Sequence, residues 1–133
     1  MSYLRLRVAG EHYAIDVRFV REVAVLGAVT AVPGSSRPVL GVCSVRESIL
    51  PVVDLAAVFG QSGLVRPSHI AVIEAGGQQA ALAVDGLESV GGPTGPVERS
   101  KAELLTGTFM AGGDLVGIVD VGRMLGWLAG VRR

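Results

Sequence analysis

Residues 41–55 read GVCSVRESILPVVDL. Two apolar runs, Val42–Val45 and Ile49–Val53, flank the polar Arg46-Glu47-Ser48. Short runs rich in Val and Ile with polar breaks read as strands, and a brief polar break between two of them reads as a hairpin corner. Arg46 is therefore lifted away from two segments that both favour burial. Pro51 has no N–H to give to a ladder, so its strand is expected to be a sheet edge or to carry a bulge. Asp54 is placed to cap a short helix over Leu55–Phe59, which Gly60 ends.

The pattern continues on both sides of this stretch. Leu4, Leu6 and Val8 alternate with Arg5 and Arg7, a period of two, and after a turn at Gly10-Glu11 the alternation resumes through Tyr13, Ile15 and Val17. Beyond Asp16 the spacing of Val17, Val20 and Ala24 shifts towards one or two helical turns that carry Phe19 and Val20. Val29–Val32 reads as a short strand stopped by the loop Pro33-Gly34-Ser35-Ser36. His69–Glu74 and Gln79–Val84 form a hairpin over Ala75-Gly76-Gly77, followed by a strand at Leu87–Val90 and a loop at Gly91–Pro96. Ser100 and Glu103 have capping-box spacing before Leu104. Thr106–Met110 pairs with Leu115–Asp120 across Gly112-Gly113-Asp114, and a helix from about Val121 to Ala129 turns Leu125 and Leu128 inward. Many short strands with Gly-rich turns and little helix predict an all-β barrel or sandwich with short helices.

Composition removes several function classes. Lys plus Arg equals Asp plus Glu at 12 each, so the basic excess of a nucleic-acid or anionic-membrane binder is missing. Three Phe, two Tyr and one Trp give little base-stacking surface, and no nucleic-acid partner is expected. Half the residues are hydrophobic and only 18% are charged, which predicts a folded chain. The opening residues alternate charge and hydrophobe, as neither a signal peptide nor a membrane anchor does; a cytoplasmic protein without direct membrane insertion is expected. Cys43, the only cysteine, reads as a small core residue.

Chemistry is sparse. His12 and His69 have no His, Cys or carboxylate neighbour at ligand spacing, and neither a phosphate loop nor a nucleophile elbow is present; no metal, cofactor or catalytic residue is expected. Asp54, Asp85 and Asp120 each follow an apolar pair. A paired-aspartate enzyme using Asp85 and a second Asp would need two carboxylates close together in a deep pocket. The competing reading makes Asp54 and Asp120 helix caps and Asp85 the opening of a turn.

The opening stretch also resembles the signature of the CheW-like coupling proteins of bacterial chemotaxis, through Gly41, Val42, Arg46 and the run Ile49–Leu55. Tyr13–Val23 (YAIDVRFVREV), Thr30-Ala31-Val32-Pro33, Ala80–Val90 (AALAVDGLESV) and Leu115–Leu125 (LVGIVDVGRML) are similar to further motifs of that family, in the same order. The resemblance implies a single domain over residues 1–133 made of two packed SH3-like five-stranded β-barrels, the second over roughly residues 35–100. It implies a non-enzymatic adaptor that couples a methyl-accepting chemoreceptor to a CheA-type histidine kinase. Carried over residue by residue, receptor binding falls on Arg46, Glu22, Val20 and Phe19, with Glu22 able to receive a receptor charge or simply to hold Arg46, while Gly41, Val45, Glu47 and Pro51 shape or flank the interface. A guanidinium can make forked hydrogen bonds that Lys cannot reproduce.

The sequence departs from the family at one corner. Where Asn-Leu-Arg-Gly is usual, it reads Ser44-Val45-Arg46-Glu47. Glu47 excludes an easy positive φ and adds a charge that can contact Arg46 or select a different partner. The chain is also short at both ends and over Gln61–Pro67, which puts the altered part at the kinase contact. An accessory adaptor that binds the receptor alone is therefore the alternative reading. Strand edges of such barrels can also pair two copies.

Overall fold

A computed structural model describes residues 1–34, 38–61, 66–93 and 95–131. Its strands in chain order are β1 (Tyr3–Val8), β2 (Glu11–Asp16), β3 (Val20–Val25), β4 (Val39–Val45), β5 (Ser48–Asp54), β6 (His69–Ala75), β7 (Gln78–Val84), β8 (Gly86–Gly91), β9 (Glu98–Arg99), β10 (Leu105–Ala111) and β11 (Asp114–Val119). Helix α1 (Leu55–Val58) follows β5, and α2 (Val121–Val131) follows β11. One sheet runs β8-β1-β2-β11-β10-β9 and the other β3-β6-β7-β5-β4.

The two helix-bearing strands are used alike. β5 pairs in parallel with β7, and β11 pairs in parallel with β2, while the other ladders are antiparallel. β5 ends in Asp54 and β11 is followed by Asp120, and each aspartate starts the next helix. Asp54 Oδ1 accepts from the Ala56 and Ala57 amides at 3.0 and 3.4 Å, and Asp120 Oδ1 accepts from the Arg123 amide at 3.0 Å. An aspartate at this position satisfies amides that have no partner inside the helix.

The five-stranded sheet closes on itself through the chain that leaves β3. Thr30 and Val42 exchange backbone hydrogen bonds of 2.9 Å in each direction, which lays this segment on the outer edge of β4. The enclosed lumen holds Cys43, Leu50, Val52, Ile70, Val72, Ala81 and Ala83. The opposite faces of β5, β6 and β7 meet β1, β2 and α2 in the larger core, around Leu6, Ile15, Leu55, Ile73, Leu82 and Met124. A third cluster of Tyr3, Ala14, Phe109, Val116 and Ile118 fills the far face of the six-stranded sheet.

Closure depends on Gly41. Its φ is +152°, and a Cβ there would overlap the Thr30 carbonyl, whose carbon would lie 2.8 Å away. A side chain at residue 41 would push the closing segment off the barrel.

Several expectations change. Only Val17–Phe19 is helical, as a single 3-10 turn with the Arg18 amide donating to Asp16 Oδ1 at 3.0 Å; Val20 begins a strand. The β-branched Val20, Val23 and Val25 suit a strand, and pairing with β6 prevails over the weak helical spacing. Val29–Val32 forms no strand; its pairing with the sheet is the isolated Thr30–Val42 bridge. Pro51 lies in an interior strand, between β4 and β7. It is tolerated because Val42, its partner in β4, turns both backbone groups to Thr30, so the pair exchanges no hydrogen bond. The ladder to β7 runs through Val52–Asp54, past the proline, and the irregularity falls in β4 between Val39 and Gly41.

Ser100 Oγ accepts from the Ala102 amide at 3.1 Å but starts a turn and no helix, since β10 begins at Leu105. The two-residue β9 was not anticipated. Of the expected loops, Ser35, Ser36, residues 62–65 and Thr94 lie outside the described residues.

Candidate partner-binding site

The site is built on hairpin geometry. Among the described residues, four two-residue hairpins have positive φ at both central positions: Ala9-Gly10, Arg46-Glu47, Gly76-Gly77 and Gly112-Gly113. This turn matches the right-handed twist of the flanking strands. Arg46 and Glu47 adopt φ of +45° and +68°, so the expectation that Glu47 would avoid positive φ is corrected. Register on both sides, Val45 opposite Ser48, leaves two residues to reverse the chain, and the twist selects the turn whatever they are.

The turn sets Arg46 above the open end of the lumen. Its Nε donates to both carboxylate oxygens of Glu22, at 3.1 and 3.0 Å. Glu22 lies on β3 and Arg46 follows β4, the opposite edges of the sheet, so the ion pair ties the barrel rim across its seam. The expected Arg46–Glu47 contact does not form; Glu22 takes the arginine instead. The Arg46 side chain is still 83% exposed, which leaves its terminal nitrogens facing solvent.

A second rim network lies beside it. Arg21 donates through Nε and Nη2 to Glu74 Oε2 at 3.1 and 2.8 Å, and Gln79 Nε2 donates to Glu74 Oε1 at 2.6 Å. These hydrogen bonds, Arg21's first, hold the Glu74 carboxyl below its ordinary value. The two networks border a shallow depression of about 200 Å³, floored by Val45, Leu50 and Val72.

The other residues singled out in the sequence fall elsewhere. Phe19 and Val20 are partly buried against the larger core, and an irregularity in the β3–β6 ladder separates Val20 from Glu22. The Arg18 guanidinium lies 4.7 Å over the Phe19 ring. Val45 packs into the lumen, and Pro51 lines two neighbouring grooves with Ile49. The structure therefore joins Arg46 to Glu22 and sets Phe19 and Val20 apart from them.

No reacting pair of groups is assembled from the candidate chemistry. Asp54 and Asp120 cap helices, while Asp85 accepts from the Ala9 amide at 3.0 Å and faces Arg7 at 3.8 Å. Burial pushes the Cys43 thiol pKa up, as befits a core residue. His69 Nδ1 meets Ser68 Oγ at 2.8 Å. His12 was missed as a charged-network residue: its ring lies 2.7 Å from Glu88 and 3.5 Å from Asp114. Those partners lie far along the chain, so local spacing carried no signal of them. Among the described residues no group of three metal-ligating side chains is gathered, and no helix is long and apolar enough to cross a membrane.

A five-stranded sheet closed through Thr30, packed on a six-stranded one, with aspartate-capped helices and an exposed, carboxylate-held arginine, offers surface rather than a reacting centre. Residues 2–129 match the family described as the CheW-like domain, and the chain belongs to that family. A chemotaxis protein CheW of Klebsiella aerogenes is 26% identical over 134 aligned residues, covering 93% of this chain and 81% of the relative. A probable chemotaxis protein CheW of Rhizobium etli is 33% identical over 57 residues, 43% of this chain and 37% of the relative. The fold is similar to that of the scaffolding protein TtCheW from Thermoanaerobacter tengcongensis, with a TM-score of 0.77 and 24% identity over 89% of this chain and 82% of that one. The protein is a non-enzymatic CheW-like adaptor of chemotaxis with a mostly β fold, and the paired-aspartate enzyme is set aside.

Proposed function

We propose that this adaptor couples the cytoplasmic hairpin tip of a methyl-accepting chemoreceptor to the regulatory domain of a CheA-type histidine kinase, acting at receptor clusters in the cytoplasm. The observation that carries the reading is Arg46, held at its Nε by Glu22 while its side chain stays 83% exposed. A guanidinium pinned on one side has lost much of its rotamer freedom before a partner arrives, so less is lost on binding. Its terminal nitrogens then suit a carboxylate or a pair of backbone carbonyls on a receptor helix. Glu22 positions the arginine, while Phe19 and Val20, set apart from it against the larger core, extend the receptor contact. Gly41 and Pro51 keep the strands in register, and Val45 and Glu47 border the contact.

The test is calorimetric titration against a receptor signalling-tip fragment and, separately, a kinase regulatory domain, using wild type and Arg46→Ala. Binding to both, with receptor affinity weakened by the substitution, supports a full coupling protein. Receptor binding alone supports the accessory adaptor. Binding to neither removes the proposal.

A further inference from the structure

Glu47 sits in a conformation that disfavours it and has no partner among the described residues. Each of the other three positive-φ hairpins places glycine at its second central position, where positive φ carries no Cβ penalty. Glu47 occupies that position at φ +68°. Its carboxylate forms no hydrogen bond or ion pair with the described residues. Arginines and glutamates of the rim are otherwise matched, Arg46 with Glu22 and Arg21 with Glu74. Among the described residues of these rim networks and their shared hairpin, two arginines stand against three glutamates, and the unmatched charge belongs to Glu47.

We infer that Glu47 is a specificity-determining contact that receives a Lys or Arg side chain from the partner docked on Arg46. The inference rests on the receptor reading above and deepens it. Arg46 and Glu47 are adjacent at the tip, so the docked surface must present an acceptor and, one side chain away, a cation. Such a two-point pattern selects partners by charge: a tip with a second acidic group opposite Glu47 is repelled. A strained residue at a binding corner, unrewarded inside the fold, is accounted for by a contact outside it.

The test measures binding of a chemoreceptor signalling-tip fragment from the same organism to wild type, Glu47→Gln, Glu47→Gly and Arg46→Ala, at low and high salt. Glu47→Gln is expected to weaken binding roughly fivefold at low salt and to make it less salt-dependent, because a matched ion pair is lost. Glu47→Gly is expected to weaken binding as much while melting at a higher temperature, which separates recognition from folding. Wild-type affinity in both Glu47 variants, with Arg46→Ala still weakened, overturns this inference and leaves the receptor reading standing. Absence of binding by the wild type overturns both.

Discussion

The Thr30 carbonyl occupies the space into which a side chain on residue 41 would grow. Gly41 lies at φ +152°, with Thr30 and Ala31 backbone atoms standing where its Cβ would be. The same contact closes the five-stranded sheet, since Thr30 and Val42 share two hydrogen bonds one residue further on. Gly41→Ala should therefore destabilise the fold by roughly 2–4 kcal/mol, combining backbone strain with loss of the bridge. Urea unfolding of the variant measures this, and a loss below about 0.5 kcal/mol would mean that the closing segment gives way freely.

Arg46 and Glu22 are expected to matter for binding and little for stability. Arg46 is mostly in water, and exposed ion pairs contribute about 0–1 kcal/mol. Arg46→Ala and Glu22→Gln should each leave the unfolding midpoint nearly unchanged while weakening receptor-tip binding. Arg46→Lys should fail to restore it, because an ammonium cannot keep one donor on Glu22 and offer a planar fork outward. Full binding by the Lys variant would show that charge alone suffices.

Acid should act on the rim through Glu74. Its folded carboxyl sits below its ordinary value because Arg21 and then Gln79 donate to it. The unfolded chain thus takes up this proton at higher pH than the folded one. The resulting stabilisation is complete above the ordinary carboxylate range and drains away as pH falls through the lowered folded pKa. Wild type should lose more stability between about pH 6 and about pH 3 than Arg21→Gln does, as followed by thermal melts. Parallel pH profiles for the two proteins would remove this role.

Helix α2 carries glycines where nothing requires them. A Cβ on Gly126 would meet no atom within 4 Å. Gly126→Ala should stabilise the protein by about 0.5–1 kcal/mol through the lower helix propensity of glycine. A neutral or negative change in denaturation midpoint would mean that this helical stretch is not formed in solution.

Much of the strand order was legible along the chain because its signals are local. Alternation marked Tyr3–Val8, the double glycines marked two hairpins, and aspartates after apolar pairs marked the starts of both helices. Val20–Val25 was misread because its local spacing is ambiguous, and the ladder to β6, nearly fifty residues away, decides it. Pro51 was misplaced for a similar reason: whether a missing N–H matters depends on which way the opposite residue turns its own backbone.

Residue types and their short-range periods alone determined an all-β chain with two capped helices and an arginine raised on a hairpin. Tertiary structure decided which edges meet, that Glu22 rather than Glu47 holds Arg46, and that Arg46 and Glu47 both take positive φ. The physical reason is range. Propensity and turn chemistry act over a few residues, whereas sheet closure, twist and charge pairing are set by segments that meet only after the chain has folded.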